Sequence, residues 1–146
     1  MRKLKLASLL ITLALSAAFQ GIAIHHTATP NGKEYSYEQC REYHVGERNW
    51  ADCGYNFLIQ PSGRIDESRG FSRVGAHIKD RNREWLGVAF VGNGRANSAQ
   101  VEAFGAWRHN AIERGWVGHE LMPHYALGRT KCPGGVWDAI DGGGIK

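Results

Sequence analysis

The sequence predicts a single α/β domain, with strands and helices interspersed around a central sheet and functional residues at strand ends and in loops on one face. Three observations carry that expectation. A length of 146 residues suits one hydrophobic core. Short apolar runs bounded by turn residues recur, the clearest being Leu86 to Val91 ahead of Gly92, fit for a fully buried central strand. Between such runs lie segments whose apolar residues return at three and four positions, the mark of helices with one buried face.

Each element follows in order. Residues 1–18 open with Arg2, Lys3 and Lys5, and no formally charged residue follows from Leu6 to Ile24. A basic start, an apolar stretch and the small residues Ser16, Ala17 and Ala18 are the layout of a secretory signal peptide cut after Ala18. The same stretch is close to the roughly 18 residues that span a bilayer, so an uncleaved anchor is the alternative, and a buried first element of a cytoplasmic enzyme is a third.

Phe19 to Ile24 reads as a first strand, with His25 at its end, because Thr27, Thr29, Pro30, Asn31 and Gly32 signal a turn. Tyr35 to Val45 reads as a short helix, with Ser36 as N-cap and Tyr37, Cys40 and Tyr43 to His44 at helical spacing. Tyr55 to Gln60 and Arg64 to Glu67 flank Pro61-Ser62-Gly63 and are expected to pair as a hairpin. Gly70 to Asn82 is mostly loop and carries His77, a plausible wall for a groove. After the central strand, Ser98 is expected to cap the longest helix, in which Val101, Phe104, Ala106 to Trp107 and Ala111 to Ile112 make a core stripe before Gly115 ends it. Glu120 to Pro123 delivers His124, and Val136 to Ile140 is a last short helical turn.

The chemistry concentrates in residues far apart in the chain: His25 in Ile24-His25-His26-Thr27, and His124 and Cys132 with seven residues between them. Imidazole nitrogen and thiolate sulfur hold zinc, and catalytic zinc sites commonly use three protein ligands with water at the fourth position. A strand-end histidine met by a loop histidine and a cysteine ahead of Pro133-Gly134-Gly135 could supply that set. Each residue alone also has a plainer reading, as a core or surface histidine or a small buried thiol, and the interval from His25 to His124 carries no local signature. A different chemistry would make Cys132 a nucleophile with His124 as its base.

The surrounding blocks bear on the choice. Ile24-His25-His26-Thr27-Ala28-Thr29, Trp50-Ala51-Asp52-Cys53-Gly54-Tyr55-Asn56-Phe57-Leu58-Ile59, Gly75-Ala76-His77, Gly87 to Asn93 and Cys132-Pro133-Gly134-Gly135 occur in that order. With these blocks the chain, from about Ile22 to Ile140, resembles the peptidoglycan recognition proteins and the related phage lysozyme-type N-acetylmuramoyl-L-alanine amidases. The resemblance implies a mixed sheet flanked by helices, with an open groove above a zinc ion held by His25, His124 and Cys132. Members that only bind peptidoglycan typically lack the cysteine, so Cys132 favours catalysis over the alternative, a non-catalytic peptidoglycan-binding protein. The resemblance also places Tyr55 beside the metal and gives Thr130 a stabilising role at the reacting centre, Lys131 being one position away from the lysine that other members carry. His26 and His77 are weaker candidates for contacts to substrate.

The implied reaction is hydrolysis of the amide between the lactyl group of N-acetylmuramic acid and L-alanine, with zinc-bound water as nucleophile. Tyr55 would orient the water or hydrogen-bond the developing oxyanion, and Thr130 would add a second bond there, a kind of contact worth roughly 3 kcal/mol in other hydrolases. Packing for Tyr55 and a turn for Thr130 are the plainer roles. His44, His109 and His119 have no motif around them and read as ordinary polar residues.

Charge and cysteines set the context. The formal net charge is +4, and Arg2, Lys3 and Lys5 supply three of those charges, leaving about +1 on the rest. No basic cluster with interleaved aromatics follows His25, which argues against nucleic acid as a partner. The expected partner is peptidoglycan, with a membrane met only through an uncleaved N-terminal segment, and the expected state is a monomer, secreted or periplasmic. Cys40 and Cys53 could be a disulfide in an oxidising compartment or two buried thiols.

Overall fold

Side-chain alternation along the strands explains the architecture seen in this computed structural model, which describes residues 19–142. The predicted export segment, residues 1–18, lies outside the described residues. Five strands form one mixed sheet: β1 (Gly21–His26), β2 (Phe57–Ile59), β3 (Ile65–Glu67), β4 (Trp85–Phe90) and β5 (Glu120–Pro123), in the order β3-β2-β4-β1-β5. β1 lies between β4 and β5 and is parallel to both, β2 is parallel to β4, and β3 closes the antiparallel hairpin with β2.

Successive residues of a strand point to opposite faces. In β1, Ile22 and Ile24 join the main core with Leu86, Val88 and Phe90 of β4, and that core also takes in Phe104 and Ala111 from helix α2 (Ser98–Glu113) and Val136 and Ile140 from helix α3 (Val136–Gly142). Other strand residues, Ala23, Leu58, Trp85 and Ala89, belong to separate small clusters, one of which includes Cys40 of helix α1 (Tyr37–Gly46) and Cys53. The predicted α/β class with a mixed, helix-flanked sheet is the fold observed.

Ser36 caps α1 as expected: its side chain accepts the Gln39 N–H while the Gln39 side chain accepts the Ser36 N–H. For α2 the expectation needs correction. Asn97, not Ser98, is the N-cap, because the reciprocal bond requires a glutamine three residues on, and Gln100 stands three after Asn97. Gly115, at φ +72°, takes the left-handed conformation just past that helix, where a side chain would be strained. β1 also differs from the expected Phe19 to Ile24. It starts at Gly21 and runs through His26, so His25 lies within the strand.

Cys40 and Cys53 form a disulfide, with Cα atoms 5.3 Å apart. It ties α1 to the segment leading to Tyr55. Asp52 next to it is buried and accepts hydrogen bonds from the Tyr37 hydroxyl at 2.7 Å and from Arg73 Nη2 at 2.6 Å.

Candidate metal centre

His25 owes its place to β1. It shares a face with Ala23 and pairs in register with Ala89, so small neighbours leave room above the sheet. The ring is 2% exposed. Its Nε2 lies 2.8 Å from His77 Nδ1, which turns its other nitrogen, Nδ1, towards Cys132, 3.8 Å from Sγ.

The parallel pairing of β1 with β5 brings His124 alongside. Pro123 pairs with Ile24, and the chain then enters a 3-10 turn, His124–Ala126, placing the His124 ring centroid 4.4 Å from that of His25. The His124 Nδ1 is buried with no hydrogen-bond partner among the described residues. Cys132 is fixed by backbone: its carbonyl accepts the Tyr125 N–H at 2.9 Å, and its sulfur accepts the His26 N–H at 3.3 Å.

One ligand atom from each of His25, His124 and Cys132 lies within 4.8 Å of the others, a grouping able to hold a metal ion. The donor set fits zinc. Bond lengths of about 2.0–2.1 Å to nitrogen and about 2.3 Å to sulfur at a tetrahedral angle separate the two atoms by roughly 3.6 Å, close to the 3.8 Å seen here. The buried His124 Nδ1, with no hydrogen-bond partner among the described residues, is free to face such an ion.

Electrostatics agree with neutral imidazoles. Burial, reinforced by the neighbouring His77, His124 and His26, holds His25 well below the ordinary histidine range, and burial lowers His124 as well. Burial pushes the Cys132 thiol up to about 11, against the opposing bond from the His26 N–H. A cation bound here would draw that proton off, coupling its binding to proton release.

The site forms the floor of an open groove of about 540 Å³. All seven residues singled out from the sequence line it: His25, His26, Tyr55, His77, His124, Thr130 and Cys132. The Tyr55 ring centroid is 5.3 Å from that of His25, and burial, then Cys132, raises its hydroxyl pKa, so it stays protonated and able to donate. Thr130 is exposed, and its Oγ1 accepts the Cys132 N–H at 3.1 Å, the turn geometry foreseen as its plainer role. That bond uses an oxygen lone pair and leaves the hydroxyl proton available. The His26 Nδ1 is buried without a partner, and its backbone N–H serves the cysteine.

Another part of the groove's lining went unread in the sequence. Tyr35, Tyr43, His44, Arg48 and Trp50 form it. His44, expected to be an ordinary polar residue, is instead buried in this wall. Its ring lies 4.5 Å from Trp50 and 5.8 Å from Tyr55 by centroid, and its Nδ1 accepts the Gly54 N–H at 2.8 Å. The available signal was its position four residues after Cys40, on the buried stripe of α1. His109 and His119 do not line the groove.

Comparisons with known proteins bear on this geometry. The family described as N-acetylmuramoyl-L-alanine amidase matches residues 16–135. A Drosophila melanogaster protein, peptidoglycan-recognition protein SC2, is 37% identical over 128 residues, covering 80% of this chain and 70% of the relative. An N-acetylmuramoyl-L-alanine amidase of Sus scrofa is 34% identical over 124 residues, 76% of this chain but only 21% of that longer protein. Among solved structures, bumblebee PGRP-SA superposes with a TM-score of 0.75 at 30% identity, covering 80% of this chain and 76% of the other. Peptidoglycan recognition protein-LE, solved in complex with tracheal cytotoxin, a monomeric diaminopimelic acid-type peptidoglycan, gives 0.79 at 26% identity, with 86% and 81% covered. With the family's sequence extending over the same strands and loops that build the three-ligand floor, the chain belongs to the N-acetylmuramoyl-L-alanine amidase family that includes the peptidoglycan recognition proteins.

Proposed function

We propose that this protein is an exported zinc-dependent N-acetylmuramoyl-L-alanine amidase, acting as a monomer on peptidoglycan. The observation that carries the reading is the convergence of His25, His124 and Cys132 at the floor of an open groove. A complete donor set of two imidazoles and a thiolate favours turnover, and the open groove admits a polymer.

Zinc held by these residues would lower the pKa of a water and polarise the amide carbonyl, which are the two needs of amide hydrolysis. The chain's own residues do the rest. Tyr55, kept protonated, donates a hydrogen bond from the wall beside His25 to the carbonyl oxygen as it gains charge. Thr130, its oxygen already engaged by the Cys132 N–H, keeps its hydroxyl proton free to donate in the same groove. Trp50, Tyr43 and Arg48, which also line the groove, present aromatic faces and a cation to the stem peptide or sugar of the substrate.

A second reading, peptidoglycan binding without turnover, draws support from a structural neighbour that is a recognition protein solved with a peptidoglycan fragment. Mass spectrometry of purified cell wall digested with and without zinc separates the two. The amidase releases stem peptides with a new L-alanine amino terminus, loses this activity on chelation, regains it with zinc, and lacks it as Cys132→Ser. Binding with no release would establish the second reading, and release that survives exhaustive chelation would overturn the zinc mechanism.

A further inference from the structure

We propose that His77 is a positioning residue that fixes the tautomer of His25, through a chain of hydrogen bonds running from the Trp85 carbonyl through both rings, with Gly87 as the seat that makes room for it. The inference rests on the zinc reading of His25 and assigns His77 to the metal ligand, not to the substrate.

The direction of each proton follows from the partners. His77 Nε2 lies 2.9 Å from the Trp85 carbonyl oxygen, which can only accept, so the proton of His77 is on Nε2. In a neutral ring that leaves a lone pair on Nδ1. This nitrogen faces His25 Nε2 at 2.8 Å, so His25 Nε2 must be the donor. The consequence is a lone pair on His25 Nδ1, the nitrogen that faces Cys132 Sγ. The opposite arrangement, with a proton on His77 Nδ1, would put the proton of His25 on the atom that has to bind metal. A free imidazole divides between tautomers, and the carbonyl of β4 removes that choice two rings away.

Room for this chain is made in the backbone. β4 is a central strand, where glycine weakens packing and usually marks close approach of another group. A Cβ on Gly87 would stand 2.7 Å from both Cγ and Cδ2 of His77, and one on Gly75 would stand 2.7 Å from the same Cδ2. The ring is therefore laid against Gly87, whose register partner in β1 is Ala23, on the face that carries His25. The loop holding it is itself tied: the His77 and Ile78 N–H groups both donate to Asn82 Oδ1 at 2.8 Å.

The test uses variants that separate acceptor from volume. His77→Leu fills the space without an acceptor, whereas His77→Asn keeps an oxygen near the position of Nδ1. Zinc affinity, measured by competition with a chromophoric chelator, is expected to fall about 10- to 100-fold in His77→Leu, the usual loss for an outer partner of a metal histidine. His77→Asn should recover most of that loss, and Gly87→Ala should lose affinity as His77→Leu does. Equal zinc affinity in wild type and a folded His77→Leu would overturn the proposal. A second measurement needs no metal: long-range ¹⁵N–¹H spectra of the metal-free protein should show His25 protonated on Nε2 alone, and a tautomer mixture in His77→Leu. Protonation on Nδ1 in the wild type would overturn it equally. A wild type that binds no zinc would defeat the amidase reading, while the tautomer spectra would still decide the role of His77.

Discussion

The two faces of the sheet are built from alternate residues of the same strands, yet they are built for opposite ends. Towards α2, β1 and β4 present Ile22, Ile24, Leu86, Val88 and Phe90, all fully buried and joined by Phe104. On the groove side the same strands present Ala23, His25, Gly87 and Ala89, with one large side chain, Trp85, at the start of β4. Large interlocking side chains secure the fold on one side; on the other, small ones leave a floor on which His25 and His77 can be set at fixed angles. Stability and chemistry are thus separated by the two-residue period of a strand.

That separation can be broken by measurement. The largest effect expected is on the packed face: Phe104→Ala, which empties a site beside Phe90 and Trp107, should cost about 3–5 kcal/mol in denaturant unfolding while leaving zinc affinity of the folded protein near wild type. A parallel loss of zinc affinity at temperatures where the variant is folded would show that the faces are coupled. On the groove face, Tyr55→Phe should lower kcat by about 100- to 1000-fold, the scale of a removed oxyanion donor, with little change in Tm. An unchanged kcat would return Tyr55 to packing.

A smaller effect is expected beside the groove, at Asp52. Burial alone would raise its pKa, but hydrogen bonds from Tyr37, Arg73 and the Cys53 N–H outweigh burial and hold the carboxyl below its ordinary 3.8. A depressed folded pKa stabilises the native state above the unfolded value and is lost as pH falls through the folded one. Asp52→Asn should therefore cost about 1–2 kcal/mol near neutrality, discounted for the half-exposed Arg73, and the gap from wild type should close in melts below pH 3.8. A gap independent of pH would assign the effect to shape instead of charge. The smallest is Asn97→Ala, about 1 kcal/mol from the cap of α2, read as a shift in Tm with kcat untouched.

The sequence made the packed face easier to read than the groove. The stripe of α2 and the apolar run of β4 follow periods that any window of residues displays, and the cap at Asn97 was available too, since Asn97, unlike Ser98, has a glutamine three residues later. The three candidate ligands were visible as residue types and through ordered family blocks. What joins them was not. The register that sets Pro123 beside Ile24, and so His124 beside His25, is a property of strand pairing between segments far apart. The pairing of Cys40 with Cys53 depends on a Cα separation that only the fold sets. His44 has no motif around it, and although His77 stands in the Gly75-Ala76-His77 block, both meet their partners only across elements, His44 at Gly54 and Tyr55, His77 at His25 and Trp85.

β5 is an edge of the sheet, bonded to β1 alone and followed at once by His124. Edge strands open first in local unfolding, exposing their amides to exchange with solvent. An ion gripped by His25, His124 and Cys132 would clamp the end of this strand to its neighbour, so metal occupancy becomes legible in deuterium uptake. Slowed exchange at the β5 amides that bond β1 would report the loaded site from the backbone, with no substrate present.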